Sequence, residues 1–234
     1  MPDSSLSLVA ALLDRSGSMS SIADDTRGGF DAFIEAERGH DGTTVVTLAQ
    51  FDDQYAMVYD STPIDQVPPL YLVPRGMTAL YDAVGKFVTE IGSSLAALPE
   101  EERPGSVTVL VMTDGQENSS REWSNQAVRE LIEQQELQYG WDFVFLGANM
   151  DAVDTGSQMG FKADKSLTYD ASSVGVSAAF SAVVDCQDRK RAHEMQQVDG
   201  FSEVDRRRAG GSSLGSPSLR SNRGKPPHES TGIE

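Results

Sequence analysis

Leu6-Ser7-Leu8-Val9-Ala10-Ala11-Leu12-Leu13 runs without a charge and ends in Asp14-Arg15-Ser16-Gly17-Ser18. A short apolar run closed by a polar loop reads as a strand buried on both faces of a parallel sheet. Gly17 gives the backbone freedom for a sharp turn. Alternate residues of an extended segment point to one side, so Asp14, Ser16 and Ser18 present three oxygens to one point. Hard oxygens, with no imidazole or thiolate among them, suit a hard divalent cation, Mg²⁺ first, with Mn²⁺ or Ca²⁺ as alternatives. The simpler alternative is that Asp14 or Ser18 caps the helix that follows.

Two later stretches supply matching groups. Gly76-Met77-Thr78-Ala79-Leu80 sets a threonine at the start of an apolar-periodic helix, and Thr113-Asp114-Gly115 sets a carboxylate directly after a second buried strand, Val107–Met112. Loops after neighbouring strands of an open α/β sheet meet at the carboxyl edge, where ligands bind, so the three stretches are expected to form one site. Together Asp14-Arg15-Ser16-Gly17-Ser18-Met19, Gly76-Met77-Thr78 and Thr113-Asp114-Gly115 resemble the metal-ion-dependent adhesion site (MIDAS) of von Willebrand factor type A (VWA) domains. The resemblance spans about residues 5–185 and keeps the family's order of motifs. It implies that Asp14, Ser16, Ser18, Thr78 and Asp114 are the metal-site positions, with Asp114 reaching the ion through a water.

The rest of the chain alternates strands and helices. Ser18–Glu37 reads as a helix with Ile22, Phe30, Phe33 and Ile34 on a partial stripe, and Gly28-Gly29 is expected to weaken or bend it. Thr43–Phe51 is a β-branched strand, and Asp52-Asp53 turns the chain into a second strand, Gln54–Tyr59. So short a link permits only an antiparallel pair. Pro63, Pro68, Pro69 and Pro74 break the next stretch into a loop, in which Leu70, Tyr71, Leu72 and Val73 either plug the core or form a rim for a partner. Thr78–Ala97 is the clearest helix, with Leu80, Val84, Phe87, Val88, Ile91 and Leu95 on one face. Ser106–Thr113, Trp141–Leu146 and Ser166–Tyr169 read as strands; Asn125–Tyr139, Val153–Met159 and Ser173–Arg191 read as helices. The expected fold class is α/β: a doubly wound, mostly parallel six-stranded sheet with one antiparallel edge strand and helices on both faces.

Charge is distributed unevenly. The net charge is −17, made of −20 over residues 1–188 and +3 over residues 189–234. A domain this acidic repels nucleic acid and anionic lipid and attracts cations and basic partners. From about Asp199 the chain is rich in Gly, Ser and Pro and carries Arg206-Arg207-Arg208, so residues 1–198 are expected to form the VWA domain and 199–234 a disordered tail. The single Cys186 cannot form an internal disulfide. The first residues lack the basic start of a signal peptide, and no run reaches the ~18 apolar residues of a membrane span. The expected compartment is the cytoplasm.

For function, the resemblance implies a Mg²⁺-dependent protein-interaction module of a compact bacterial or phage type, without enzymatic activity. A partner's Asp or Glu completes the coordination of the ion. Proteins of this kind work beside MoxR-type AAA+ ATPases or in stress and metal-resistance assemblies, so such an ATPase is a candidate partner. One competing reading is a Mg²⁺-dependent phosphoryl-transfer or hydrolase enzyme with Asp14 as nucleophile. Enzymes of the haloacid-dehalogenase type place a second aspartate where this chain has Ser16. No Gly-Lys-Ser/Thr occurs, since Gly85-Lys86 is followed by Phe87, and there is no Gly-x-Ser-x-Gly elbow. His40, His193 and His228 are too scattered for a metal or triad pattern. Another reading is an adaptor whose basic tail engages nucleic acid.

Overall fold

In the computed structural model, which describes residues 1–192 and 200–210, the first apolar run becomes strand β1 (Asp3–Asp14) at the centre of a sheet. Its residues alternate between two cores. Val9, Ala11 and Leu13 face one layer of helices; Leu8, Ala10 and Leu12 face the other. The remaining strands are β2 (Thr43–Phe51), β3 (Tyr55–Pro63), β4 (Pro104–Thr113), β5 (Asp142–Ala148) and β6 (Ser166–Tyr169). Their order across the sheet is β3-β2-β1-β4-β5-β6. All neighbours pair in parallel except β2 with β3, so β3 is the antiparallel edge.

Helices α1 (Ala23–Arg38) and α5 (Ser173–Ala192) cover one face of the sheet. Helices α2 (Leu80–Ala97) and α3 (Asn125–Tyr139) cover the other, together with the short α4 (Ala152–Gln158). The chain leaves β1 toward the first face and enters β4 from the second. The gap between the carboxyl ends of β1 and β4 is therefore the topological switch point. α2 buries Leu80, Val84, Phe87, Val88 and Ile91 as its periodicity requires. α3 begins at Ser124, whose side chain accepts from the Ala127 N–H, and stops at Gly140 in the left-handed conformation.

Two expectations need correction. α1 runs unbroken through Gly28-Gly29. A β-carbon on Gly29 would lie 2.7 Å from the Phe180 ring of α5, so that glycine gives the ring room, whereas Gly28 faces open space. The boundary expected at residue 198 also falls elsewhere. Residues 200–210 belong to the folded domain, with helix α6 (Glu203–Ala209) packed against α5 and β6. Ser202 and Asp205 form a capping box, Phe201 and Ala209 are buried, and Arg189 of α5 bonds Asp205 Oδ2 at 3.2 Å. Arg206, read as part of a free basic run, donates to the Ser166 carbonyl at 2.8 Å. Gly210 forms a bridge with Tyr169 at the end of β6. Residues 211–234, the rest of the expected tail, lie outside the described residues, as do His193 and His228.

These contacts set two outcomes for thermal unfolding. Gly28→Ala should stabilise by up to about 1 kcal/mol through helix propensity, whereas Gly29→Ala should destabilise by about 1–3 kcal/mol by overpacking against Phe180. Truncation before Gly200 should lower the midpoint clearly, because Phe201 and Ala209 leave the core; an unchanged midpoint would show that α6 is dispensable.

Candidate metal centre

Asp14 ends β1 in register with Phe51 of β2, one residue past the last β1–β4 pair, Leu13 with Met112. Its side chain is fully buried. Oδ1 accepts from the Ser16 N–H at 2.6 Å, and Oδ2 accepts from the Thr113 hydroxyl at 2.6 Å. Asp14 is thus fixed by its own loop and by the last residue of β4. The Ser16 and Ser18 hydroxyls lie 3.0 Å apart, and Ser18 Oγ donates to Asp114 Oδ1 at 2.6 Å. Neither Ser18 nor Asp14 caps α1, whose N-cap position is Ile22 without a side-chain bond. The capping alternative is thereby set aside.

Thr78 joins this group through Gly115. A β-carbon at position 115 would lie 2.7 Å from Thr78 Oγ1 and 3.4 Å from Ser18 Oγ. Only glycine lets the loop after β4 close on both hydroxyls. The five expected positions, Asp14, Ser16, Ser18, Thr78 and Asp114, therefore gather at the switch point.

The electrostatics are those of carboxylates held without a counter-cation. Burial pushes the Asp14 carboxyl up to about 6, against the opposing hydrogen bonds from Thr113 and Ser16; the charge of Asp114 adds to the rise. Burial also raises Asp114, with Ser18 pulling the other way. Tyr169, wholly buried, has a hydroxyl with no hydrogen-bond partner among the described residues, and its pKa is raised by burial and by the charges of Asp114 and Asp14. Among the described residues no ammonium or guanidinium pairs with Asp14 or Asp114. Nor is any group of three or more His, Cys, Asp or Glu side chains among them arranged to hold a metal ion; the centre is two carboxylates and three hydroxyls. The donor set fits a hard divalent cation, which would supply the missing positive charge.

Several supports escaped the sequence reading. Asp52, at the β2–β3 turn, is buried and takes the Nε–H groups of Arg15 at 3.1 Å and Arg75 at 2.7 Å. Burial alone would raise its carboxyl, but the Arg75 bond, the Gln54 N–H and the two positive charges outweigh it and hold it low. Asn118 Oδ1 accepts from the Thr78 N–H at 2.9 Å, and Glu117 Oε2 from the Tyr81 N–H at 3.0 Å. Asp82 accepts from three consecutive N–H groups, Arg121, Glu122 and Trp123. In the Pro-rich loop, Leu70 and Leu72 plug the core, while Tyr71, Val73 and Met77 stand exposed.

No protein-family model and no curated protein sequence matches the chain. Solved structures do match. One is proximal thread matrix protein 1 from the mussel byssus with a zinc-occupied MIDAS motif, at 19% identity and a TM-score of 0.52 over 76% of this chain and 44% of that one. Another is the von Willebrand factor type A protein from Catenulispora acidiphila, at 13% identity and a TM-score of 0.53 over 78% and 43%. A third is the vWF domain of the type V pili tip protein Mfa5 from Porphyromonas gingivalis, at 10% identity and a TM-score of 0.55 over 82% and 96%. This is the VWA fold. The chain spans less than half the length of the mussel protein. Among the described residues no helix is long and apolar enough to cross a membrane.

The raised Asp14 pKa has a definite sign. Between its ordinary value of 3.8 and about 6, the folded VWA domain binds more protons than the unfolded chain. Stability from this group is present in full below the lower value and lost as pH rises through 6. In EDTA at pH 7.5, Asp14→Asn should therefore unfold at a higher temperature than wild type, by up to about 3 kcal/mol, with the difference shrinking toward pH 5. A lower midpoint for the variant across the whole range would refute this account.

Proposed function

We propose that this chain is a divalent-metal-dependent protein-interaction module, with Mg²⁺ as the ion, docking an acidic side chain of a partner protein. One observation carries the proposal: five oxygen donors from three loops converge at the switch point, and among the described residues no basic side chain pairs with their buried carboxylate, Asp14. Hydroxyls and carboxylates without imidazole or thiolate favour Mg²⁺ over Zn²⁺. The zinc-occupied MIDAS motif of the mussel protein supports a divalent ion at this edge of the fold. Bound here, the ion would supply a positive centre with a coordination position open to a carboxylate.

The residues of the chain do the remainder. Asp14, Ser16, Ser18, Thr78 and Asp114 hold the ion directly or through water. Thr113 and Asn118 fix two of the three loops. Exposed Tyr71, Val73 and Met77 offer an apolar rim on the side of β2. The partner donates Asp or Glu, and a MoxR-type AAA+ ATPase in the cytoplasm is the candidate that the sequence resemblance supplies. No group here is assigned to a chemical step.

Two measurements test this. Mg²⁺ at about a hundred times its Kd should stabilise wild type by about 2.7 kcal/mol, an effect abolished by EDTA and by Asp14→Ala. A host protein should be retained from lysate by wild type in Mg²⁺, and lost with EDTA or with Asp14→Ala. Retention indifferent to both treatments would overturn the metal-docking reading and direct attention to phosphatase and nuclease assays.

A further inference from the structure

Two arginines stand beside the candidate metal centre without taking part in it. Arg15 lies between Asp14 and Ser16, and its side chain turns toward the β2–β3 turn. There its Nε–H donates to Asp52 Oδ2 at 3.1 Å. Arg75, three residues before Thr78, donates its Nε–H to the same oxygen at 2.7 Å. A main-chain bond of 2.7 Å from the Arg75 N–H to the Arg15 carbonyl keeps the two side by side. Asp52 is itself immobilised by the Gln54 N–H at 2.6 Å.

One guanidinium would suffice to pair Asp52, yet two do so, each by Nε alone. Among the described residues the Nη groups of Arg15 make no hydrogen bond, and those of Arg75 make one, to Gln54 Oε1 at 3.5 Å. The Arg15 side chain is 15% exposed and that of Arg75 57%. Asp52 offsets one positive charge, and Asp53, close to Arg75, acts on the same guanidinium. What remains is a set of forked N–H donors, pre-positioned by a buried carboxylate, at the ligand-binding edge of a very acidic domain. Forked guanidinium donors match carboxylate geometry.

We propose that Arg15 and Arg75 form a second anion subsite, so that the docking segment of the partner carries two carboxylates. This rests on the metal-docking reading above. One carboxylate goes to the metal centre and the other to the arginine pair. The spacing suits a short extended segment. Asp14 faces Phe51 in register, so Asp52, one residue further along the neighbouring strand, lies about 6 Å away. Side chains two residues apart on an extended peptide point the same way at about 7 Å, which fits an Asp-x-Glu pattern.

The probes are two acetylated peptide amides, Gly-Gly-Asp-Gly-Gly and Gly-Asp-Gly-Glu-Gly. Each is titrated by NMR into the full chain in Mg²⁺ and in EDTA, using wild type, Arg15→Gln, Arg75→Gln and the charge-keeping Arg75→Lys. Wild type in Mg²⁺ should prefer the two-carboxylate peptide by about five- to tenfold, as charge-assisted bidentate bonding allows. The preference should fall toward unity in both Gln variants and partly in Arg75→Lys, with Mg²⁺ affinity unchanged. Equal preference in wild type and all variants, or no preference in wild type while Mg²⁺-dependent binding persists, overturns the second subsite alone. Binding of both peptides independent of Mg²⁺, or none at all, overturns the metal-docking reading and the subsite with it.

Discussion

The burial of one carboxylate governs the arrangement of this domain. Asp14 sits at the end of the central strand, between β2 and β4, where solvent does not reach it. A charge taken out of water costs several kcal/mol unless it finds partners. The partners here are neutral: one main-chain N–H and one threonine hydroxyl. They are too weak to offset desolvation, which is why the carboxyl rises to about 6. The neighbouring geometry closes tightly around that carboxylate. Gly17 approaches the Gly76 carbonyl, Gly115 approaches Thr78, and Tyr169 leaves a hydroxyl without a partner among the described residues in the layer beneath.

The loops that supply the other oxygens are braced by carboxylates of a second kind. Asp82 gathers the N–H groups of Arg121, Glu122 and Trp123, and Glu117 gathers those of Ser119, Ser120 and Tyr81. Trp123 in turn rests on Gly85 of α2, where a β-carbon would run into its ring. The segment after β4 is a loop without helix or strand, yet each N–H from Asn118 to Trp123 finds an acceptor. Hydrogen bonds to charged acceptors contribute about 1.5–3 kcal/mol each. Such bracing fixes Thr78 and Asp114 relative to each other, and pre-organisation lowers the ordering cost of binding.

What the sequence made legible was whatever has a short period or a short motif. Val9 and its neighbours announced a two-sided strand, Leu80 to Ile91 announced a helix face, and three brief motifs named the five hydroxyl and carboxylate positions that the loops bring together. What escaped depends on contacts between distant residues. Gly28-Gly29 looks like a flaw in α1 until Phe180 arrives from more than a hundred positions away and occupies the space over Gly29. Asp52 looks like a turn residue until Arg15 and Arg75 converge on it. α6 is only seven residues long, too short for periodicity to register, and its composition resembles a tail. Its stability comes from Phe201, Ala209 and the Arg189–Asp205 pair, and none of these announces itself locally.

The same electrostatics bear on how an acidic domain can receive an acidic ligand. Screening at physiological salt limits the relevant charges to about 8 Å, so the −20 of residues 1–188 matters less than the few groups at the edge. Arg15, Arg75, Asp52 and Asp53 balance to zero, which leaves Asp14 and Asp114 at −2 at pH values above their raised pKa. A partner carboxylate about 7 Å away meets a repulsion of about 1 kcal/mol from that pair even at the dielectric of water, and more beside a low-dielectric wall. A divalent cation would cancel both charges and remove that repulsion, leaving the ion itself as the group the incoming carboxylate meets. The hydroxyls of Ser16, Ser18 and Thr78 add ligands without adding charge, so they do not neutralise the cation further. Carboxylates at those three positions would bind a cation more tightly and leave nothing for a partner to complete. On the metal-docking reading proposed above, two acids and three alcohols favour a centre that recruits a partner over one that merely stores its ion.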